Sequence, residues 1–263
     1  MQYFLLRYET VCGMTGTAWN AAAEFRSMYG LKVDVIPPHI PCQRVDQPLM
    51  IFLSEAEKEE MVENQVLAAH KRGRPVLLGT RSVEESERYA RLLARRGVSC
   101  QVLNARDDRA EAEIIASAGR LGAVTVSTNM AGRGVDIRLG GGDPGERQAV
   151  LDVGGLYVIG TGFYRNRRID GQLRGRAGRQ GDPGESRFFL SWEEPPLTRY
   201  AGKKRGCPQR WERLAATCRE REEGKDAEAR YILEKYAYIL EEERRRITRF
   251  REQILNRSLS PSF

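Results

Sequence analysis

The sequence predicts an α/β fold in which a parallel sheet lies between helices, followed by a long α-helical segment. Short apolar runs alternate with amphipathic stretches of helical length as far as residue 190. Parallel strands need such crossover connections, so this alternation favours a doubly wound sheet. After Pro195-Pro196 the composition changes to one dense in Lys, Arg and Glu. We therefore predict an α/β domain at residues 1–195 and a helical segment at residues 196–263.

The first part of the chain carries weak signals. A helix is predicted over Asn20–Tyr29, capped at its start by Thr17 and ended by Gly30. Val33–Ile36 alternates like a short strand, and Leu49–Leu53 is predicted as another.

Two capping boxes predict the next helices. Ser54 is followed three residues later by Glu57, and Ser82 in the same way by Glu85. Each serine side chain can accept a hydrogen bond from a backbone amide in the first turn of a helix, and the glutamate side chain can accept one from the backbone amide of the serine. The first helix is expected to end near Gly73 and the second at Gly97. A third helix is predicted at Ala110–Ala118.

The remaining strands are compact and apolar. They are predicted at Val76–Gly79, Gln101–Leu103, Ala123–Ser127, Gly155–Gly160 and Ser186–Leu190. Ligands of such folds bind at loops beyond the carboxyl ends of the strands. The loop after Ala123–Ser127 and the stretch after Gly155–Gly160 are both rich in Gly and Arg, and we expect them to converge on one edge of the sheet.

The second of these stretches, Ile169–Asp182, is called the arginine segment below. Its arginines Arg174, Arg176 and Arg179 alternate with glycines. A guanidinium presents a planar fork of donors that matches phosphate oxygens, and glycine allows a backbone to approach a ligand closely. The pattern favours an electrostatic clamp on a polyphosphate. A solvated basic loop or a disordered Arg-Gly segment is the alternative.

Other candidate nucleotide contacts precede or accompany these arginines. Arg133 and Asp136 can act as a pair around a nucleotide, with Gly134 giving the backbone close access. The alternative for Asp136 is a helix cap or an ion pair with Arg138. Gln172 can orient a water or a phosphate, although an exposed helical glutamine is the ordinary interpretation.

The bulk composition bears on the kind of partner, the location and the presence of metal or membrane-spanning sites. Net charge is +7 and the pI is near 9.3, which favours an anionic partner without choosing one. The five cysteines form no C-x-x-C pair, which favours reduced thiols and a cytoplasmic location. We predict no metal ligands in this chain. No apolar run approaches the roughly 18 residues that span a membrane.

The sequence lacks the elements that bind the phosphates and metal of a nucleotide in many folds of this class. No G-x-x-x-x-G-K-[ST] loop occurs, nor an apolar strand that ends in a D-E-x-D cluster. These elements would cradle the phosphates and hold Mg²⁺. The arginines should therefore be half of a site.

An apolar seam marks the predicted long helix. Its members recur at steps of three and four with one interruption, which suits packing against a single surface or a coiled coil. They are Leu233, Tyr236, Leu240, Ile247, Phe250 and Ile254. The basic run Arg244–Arg246 is predicted to be a solvated flank, and nucleic-acid binding is not expected.

Together the motifs resemble one family, the SecA preprotein translocase ATPases. The resemblance covers nearly the whole chain and keeps the family's order and spacing. It is carried by Gly13–Ala18 (GMTGTA), Gly79–Glu87 (GTRSVEESE), Val102–Ala105 (VLNA), Thr128–Ile137 (TNMAGRGVDI), Gly154–Thr161 (GGLYVIGT), Arg167–Asp182 (RRIDGQLRGRAGRQGD) and Ser186–Glu194 (SRFFLSWEE).

The resemblance implies the second RecA-like motor domain, of the helicase C-terminal type, plus the start of a scaffold helix. ATP with Mg²⁺ would be held mainly by an N-terminal motor domain, with Arg176 and Arg179 reaching the γ-phosphate. Gly134 and Asp136 would line the cleft, with Arg133, Gln172 and Arg174 as further nucleotide contacts.

The same resemblance implies partners and a location. They are the N-terminal motor domain, a membrane protein-conducting channel and preproteins, at the inner face of the membrane. The chain is expected to be a fragment of a longer protein or a truncated paralogue, and to be inactive alone. Two runs, Arg106–Asp108 and Gly162–Tyr164, depart from the family pattern. A superfamily 2 helicase half and a non-catalytic paralogue remain as alternatives.

Overall fold

A parallel sheet forms the centre of the molecule. The computed structural model describes residue 5 and residues 8–103, 108–128, 135–202 and 207–258. Its strands are β1 (Gln43–Asp46), β2 (Met50–Phe52), β3 (Val76–Thr80), β4 (Gln101–Leu103), β5 (Val124–Thr128), β6 (Leu156–Gly160) and β7 (Pro183–Ser191). Within the described residues they pair in the order β1-β7-β6-β3-β5-β4, with β2 also on β7. Every pairing is parallel, which confirms the predicted fold class.

Helices cover both faces of this sheet. The helices of the described residues are α1 (Ala22–Tyr29), α2 (Glu55–Lys71), α3 (Val83–Arg95), α4 (Asp108–Ser117), α5 (Pro144–Asp152), α6 (Arg167–Arg174), α7 (Leu197–Tyr200) and α8 (Trp211–Ser258). On one face α2 and α3 pack against Leu78 and Val126, and on the other α4, α5 and α6 pack against Leu77 and Val158. Alternate residues of each strand thus enter separate cores, as the pleat requires.

The predicted capping boxes are present. Ser54 accepts a hydrogen bond from the Glu57 amide at 3.2 Å, and Ser82 accepts one from the Glu85 amide at 3.1 Å. Both helices then end within two residues of the predicted glycines, because Gly73 and Gly97 adopt positive φ angles of 75° and 80°.

Two predictions for the first part of the chain are wrong, and one strand was not predicted. Val33–Ile36 forms no strand, and its last two residues are largely exposed. Thr17 does not cap α1, which begins directly after a short 3₁₀ turn with no side-chain cap. Gln43–Asp46, which was not predicted as a strand, pairs with β7. An edge strand of four mostly exposed residues carries little apolar alternation, so the sequence signal is weak.

Two compact units divide the chain. One comprises residues 14–219, and the other takes in residues up to 13 and from 220 onward. The first unit includes the opening turns of α8, where Ala215 and Cys218 pack with Leu190, Trp192 and Leu197. The predicted domain boundary at residue 195 remains a prediction.

Candidate functional site

Helix α6 carries the first half of the arginine segment. Asn166 caps it by accepting a hydrogen bond from the Arg168 amide at 2.9 Å. Leu173, one residue before the end of the helix, packs directly over β3: a Cβ on Gly79 would lie 2.4 Å from a Leu173 methyl carbon. The glycine in the central strand therefore lets α6 lie close to the sheet.

The second half of the segment returns to the amino ends of the strands. Because β6 and β7 are parallel, residues 161–182 must cross back over the sheet before β7 begins at Pro183. Gly178 lies beside the start of β7, since a Cβ on Gly184 would be 2.7 Å from its amide nitrogen. The arginines after α6 thus lie over the sheet face near its amino ends, and not at the predicted carboxyl edge.

The two predicted loops nevertheless meet at these arginines. Arg176 donates from Nη1 to the Val135 carbonyl at 2.7 Å. Arg179 forms an ion pair with Asp136 and donates from Nε to the Gly175 carbonyl at 2.8 Å. The alternative Asp136–Arg138 pair is not the one formed. Residues 129–134, with the predicted contacts Arg133 and Gly134, lie outside the described residues.

Two positive charges are held close together here. Arg176 is half-buried, and both its burial and the neighbouring Arg179 lower its pKa below the ordinary value. Asp136 acts in the opposite direction, but it is already paired with Arg179. A guanidinium that is partly desolvated beside a like charge favours an anion, since an anion would relieve both penalties.

Arg174 lies differently from the other two. Its guanidinium carbon is 4.7 Å from the centroid of the Phe188 ring, a cation–π contact with β7. Its charge also helps to lower the pKa of Asp46, after the larger effects of the Arg44 and Ser186 hydrogen bonds. Arg174 therefore holds α6 against the sheet. Gln172 is half-buried on the same helix.

The edge strand β1 packs directly against the arginine segment. Gly178 has a φ of 69°, and a Cβ there would lie 2.5 Å from the Arg44 Cβ. Arg44 also donates from Nη1 to the Ala177 carbonyl at 3.4 Å, and the Cys42 thiol lies 3.6 Å from the Gly178 carbonyl. The glycine thus provides room for the chain's own strand, whereas the sequence suggested room for a ligand.

Comparison with known proteins identifies the family. A family model described as the SecA P-loop domain matches residues 41–145 and 143–207. The chain belongs to the SecA family. Protein translocase subunit SecA 2 of Mycobacterium tuberculosis (strain ATCC 25618 / H37Rv) is 53% identical over 194 residues, which is 74% of this chain and 24% of that protein. Protein translocase subunit SecA 2 of Clostridioides difficile (strain 630) is 45% identical over 269 residues, 97% of this chain and 34% of that one.

This SecA-family chain thus spans between 24% and 34% of the length of those relatives. Among solved structures, the Mss116p DEAD-box helicase domain 2 bound to an RNA duplex matches with a TM-score of 0.45 and 14% identity, covering 60% of this chain and 57% of that chain. A similarity of this size supports no conclusion about function.

A buried charged cluster in the SecA-family chain was missed by sequence reasoning. Lys58 of α2 is fully buried, forms an ion pair with Glu194 and donates to the Thr161 carbonyl at 2.9 Å. Arg81 also pairs with Glu194, and it donates from Nη2 to Glu85 at 3.2 Å. Burial alone would raise the pKa of Glu85, but Arg81 lowers it below the ordinary value.

This cluster joins the carboxyl ends of three strands. Thr161 follows β6, Arg81 follows β3 and Glu194 follows β7. Lysine and glutamate pairs 136 residues apart leave no local pattern, so only the capping role of Glu85 was readable from the sequence.

A second buried ion pair links α6 to α8. Asp170 and Arg219 are both buried and pair through the Arg219 Nη1. Asp170 also accepts a hydrogen bond from the Tyr164 amide at 3.0 Å, and the Arg219 guanidinium carbon lies 4.3 Å from the Phe163 ring centroid. Burial raises the pKa of Asp170 to about 6, although Arg219 and the Tyr164 amide oppose this.

In the part of the chain that the structure describes, no helix has both the length and the apolar character to cross a bilayer. Over the same residues, no three His, Cys, Asp or Glu side chains come together as a metal site.

Proposed function

We propose that this chain is the C-terminal motor half of an ATPase that drives protein translocation across a membrane. In this proposal, Arg176 and Arg179 act on ATP bound by an N-terminal motor domain of the same protein. The observation that supports it most directly is the close pair of half-buried arginines, Arg176 and Arg179, with one carboxylate between them. Membership of the SecA family supports the translocation role.

The residues present suit one side of an ATP site. Arg176 supplies a planar donor set in a partly desolvated position, which strengthens its interaction with a phosphate. Arg179 can exchange its contact with Asp136 for a phosphate oxygen, which frees the Asp136 carboxylate to accept a hydrogen bond from a ribose hydroxyl. Gln172 and Arg174 belong to the same proposed site, with Arg174 in the supporting role that its contact with Phe188 favours.

The proposal assigns Mg²⁺ to the N-terminal motor domain, as the family resemblance implies; among the described residues, no three His, Cys, Asp or Glu side chains come together as a metal site. The metal would neutralise charge on the phosphates, while these arginines stabilise the charge that develops during transfer. Preproteins and a membrane protein-conducting channel are the proposed partners, which places the protein at the cytoplasmic face of a membrane.

The test is ATP turnover by the full-length protein with Arg176→Ala. We expect kcat to fall by about 10³-fold, the effect typical of an arginine that contacts a transferring phosphoryl group. Arg91→Ala, on an exposed position of α3, is the matched control and should leave turnover unchanged. Turnover of the Arg176→Ala protein within a few-fold of the wild type would reject the assignment.

A further inference from the structure

Arg44 of the edge strand β1 contacts the backbone between the two arginines of the proposed site. Its Nη1 donates to the Ala177 carbonyl at 3.4 Å. Its Cβ also lies only 2.5 Å from where a Cβ on Gly178 would stand. The Ala177 side chain belongs to the buried core. The backbone between Arg176 and Arg179 is therefore held by the core through one residue and by β1 through Arg44.

The Arg44 guanidinium is itself fixed in direction. Its Nε and Nη2 donate to the two carboxylate oxygens of Asp46 at 2.7 and 3.0 Å, which leaves Nη1 for Ala177. Asp46 in turn accepts a hydrogen bond from the Ser186 hydroxyl on β7. A bidentate pair of this kind fixes the plane of the guanidinium. The sheet therefore determines where the third nitrogen points.

The ordinary interpretation of Arg44 and Asp46 is an ion pair on an exposed strand, which would contribute little. Two observations favour a larger role. The Arg44 side chain is 20% exposed, although the other three residues of β1 are exposed. Its remaining donor contacts Ala177, which is 133 positions away in the sequence, and so joins β1 to a distant segment.

The backbone that Arg44 contacts sets the direction of both proposed ATP-contacting side chains. The Arg176 amide donates to the Leu173 carbonyl at 3.0 Å, and Arg179 donates from Nε to the Gly175 carbonyl at 2.8 Å. Each arginine thus starts from the same tight turn. Stabilisation of a transition state by fixed charges is sensitive to placement, and an error of about 1 Å costs on the order of 10²-fold in rate.

We propose that Arg44 is a positioning residue for the ATP site, which fixes the spacing of Arg176 and Arg179 through the Ala177 carbonyl. The inference rests on the proposed function. Arg44 does not contact ATP in this role, because its three guanidinium nitrogens donate to Asp46 and Ala177. Its removal would weaken stabilisation of the transferring phosphoryl group, whereas binding of ATP by the N-terminal motor domain would remain.

ATP turnover by the full-length protein tests this role. In Arg44→Ala we expect kcat to fall by about tenfold to a hundredfold. KM for ATP should stay within about twofold of the wild type, since the lost interaction belongs to the transition state. Arg44→Lys should show most of the same fall, because one ammonium keeps the charge but cannot serve Asp46 and Ala177 together. Gln43→Ala, exposed on the same strand, is the matched control and should leave turnover unchanged.

A second background separates positioning from a general structural role. In a protein that carries both Arg176→Ala and Arg179→Ala, the further change Arg44→Ala should leave kcat as it is, because no arginine remains to be positioned. A further fall of the same size there would overturn the proposal, since Arg44 would then act through another part of the protein.

Asp46→Asn keeps the test valid if Arg44→Ala fails to fold. The change leaves Arg44 in place but weakens the charged pair that fixes its guanidinium. It should lower kcat severalfold when both arginines are present and have no effect when both are replaced.

The outcomes separate this proposal from the proposed function. If Arg176→Ala alone keeps turnover within a few-fold of the wild type, the proposed function fails. If Arg176→Ala loses turnover but the Arg44 and Asp46 variants keep the kcat of the wild type, or change KM alone, only the positioning role is overturned.

Discussion

At the scale of single residues, the glycines and arginines make different contacts from one another, which the even spacing in the arginine segment does not indicate. Gly178 makes room for Arg44 of β1, and Gly79 makes room for Leu173 of α6. Arg174 packs on a ring, whereas Arg176 and Arg179 contact the segment around Asp136. Residue type was therefore readable from the sequence, but which arginine does what depends on the contacts.

Gly178→Ala should destabilise the chain. The backbone has a positive φ of 69°, and the new Cβ would lie 2.5 Å from the Arg44 Cβ. We expect a loss of about 2–4 kcal/mol in the free energy of unfolding, measured in urea, from left-handed strain plus the clash. Gly97→Ala is the control, because Gly97 also has a positive φ, of 80°, but a Cβ there would have no neighbouring atom within 4 Å. Equal losses for the two variants would contradict the close packing.

Asp170 should make stability depend on pH. Its pKa is raised by burial from 3.8 to about 6, so the folded state holds the proton more tightly than the unfolded chain. The resulting stabilisation is present below about pH 4 and is lost as the pH rises through about 6. Relative to the wild type, Asp170→Asn should therefore gain about 3 kcal/mol between pH 4 and 7 in urea unfolding.

The control for that prediction is Asp34→Asn, at an exposed position. Its pH profile should run parallel to that of the wild type. A parallel profile for Asp170→Asn as well would show that the Asp170 pKa is not raised.

At the scale of elements, those with strong local sequence signals were predicted, whereas others were missed. Helices α2 and α3 were predicted with their caps, because Ser54 and Ser82 act within one turn of their partners. Strand β1 and helix α5 were not predicted. The first is a strand only because it pairs with β7, and the second is a short helix begun by Asp143 in a glycine-rich stretch.

The buried cluster around Lys58 should be energetically coupled. Lys58→Met removes the partner of a buried carboxylate, so we expect a loss of about 3 kcal/mol or more. Glu194→Leu alone should also destabilise, and the double variant should lose less than the sum, measured as a double-mutant cycle in urea. Lys71→Met, exposed at the end of α2, should change little. Additive losses would mean that Lys58 and Glu194 do not interact.

At the scale of the whole molecule, the described strands form one parallel sheet, whereas the proposed site is one-sided. Among the residues that the structure describes, Asp136 is the carboxylate beside the two arginines, and the sequence carries no phosphate-binding loop. In the proposed function, the N-terminal motor domain supplies that loop.

The isolated 263-residue chain should therefore hydrolyse ATP negligibly and bind it weakly. Arginines alone offer charge but neither a nest of backbone amides nor a metal site for the phosphates. Calorimetric titration with Mg-ATP and a phosphate-release assay measure the two quantities. An Arg176→Ala preparation purified in the same way controls for contaminating ATPase. Brisk turnover by the wild-type chain, with none in that control, would contradict the one-sided site.

The sequence by itself determined the alternation of strands and helices, the family and the arginine-rich segment, because those properties reside in residues close together along the chain. The tertiary structure decided where that segment lies. Helix α6 crosses the sheet, so Arg176 and Arg179 contact Val135 and Asp136 over one face of the sheet, near the amino ends of the strands. It also decided the buried partners of Lys58 and Asp170. Such pairs depend on which elements pack together, and no local pattern records them.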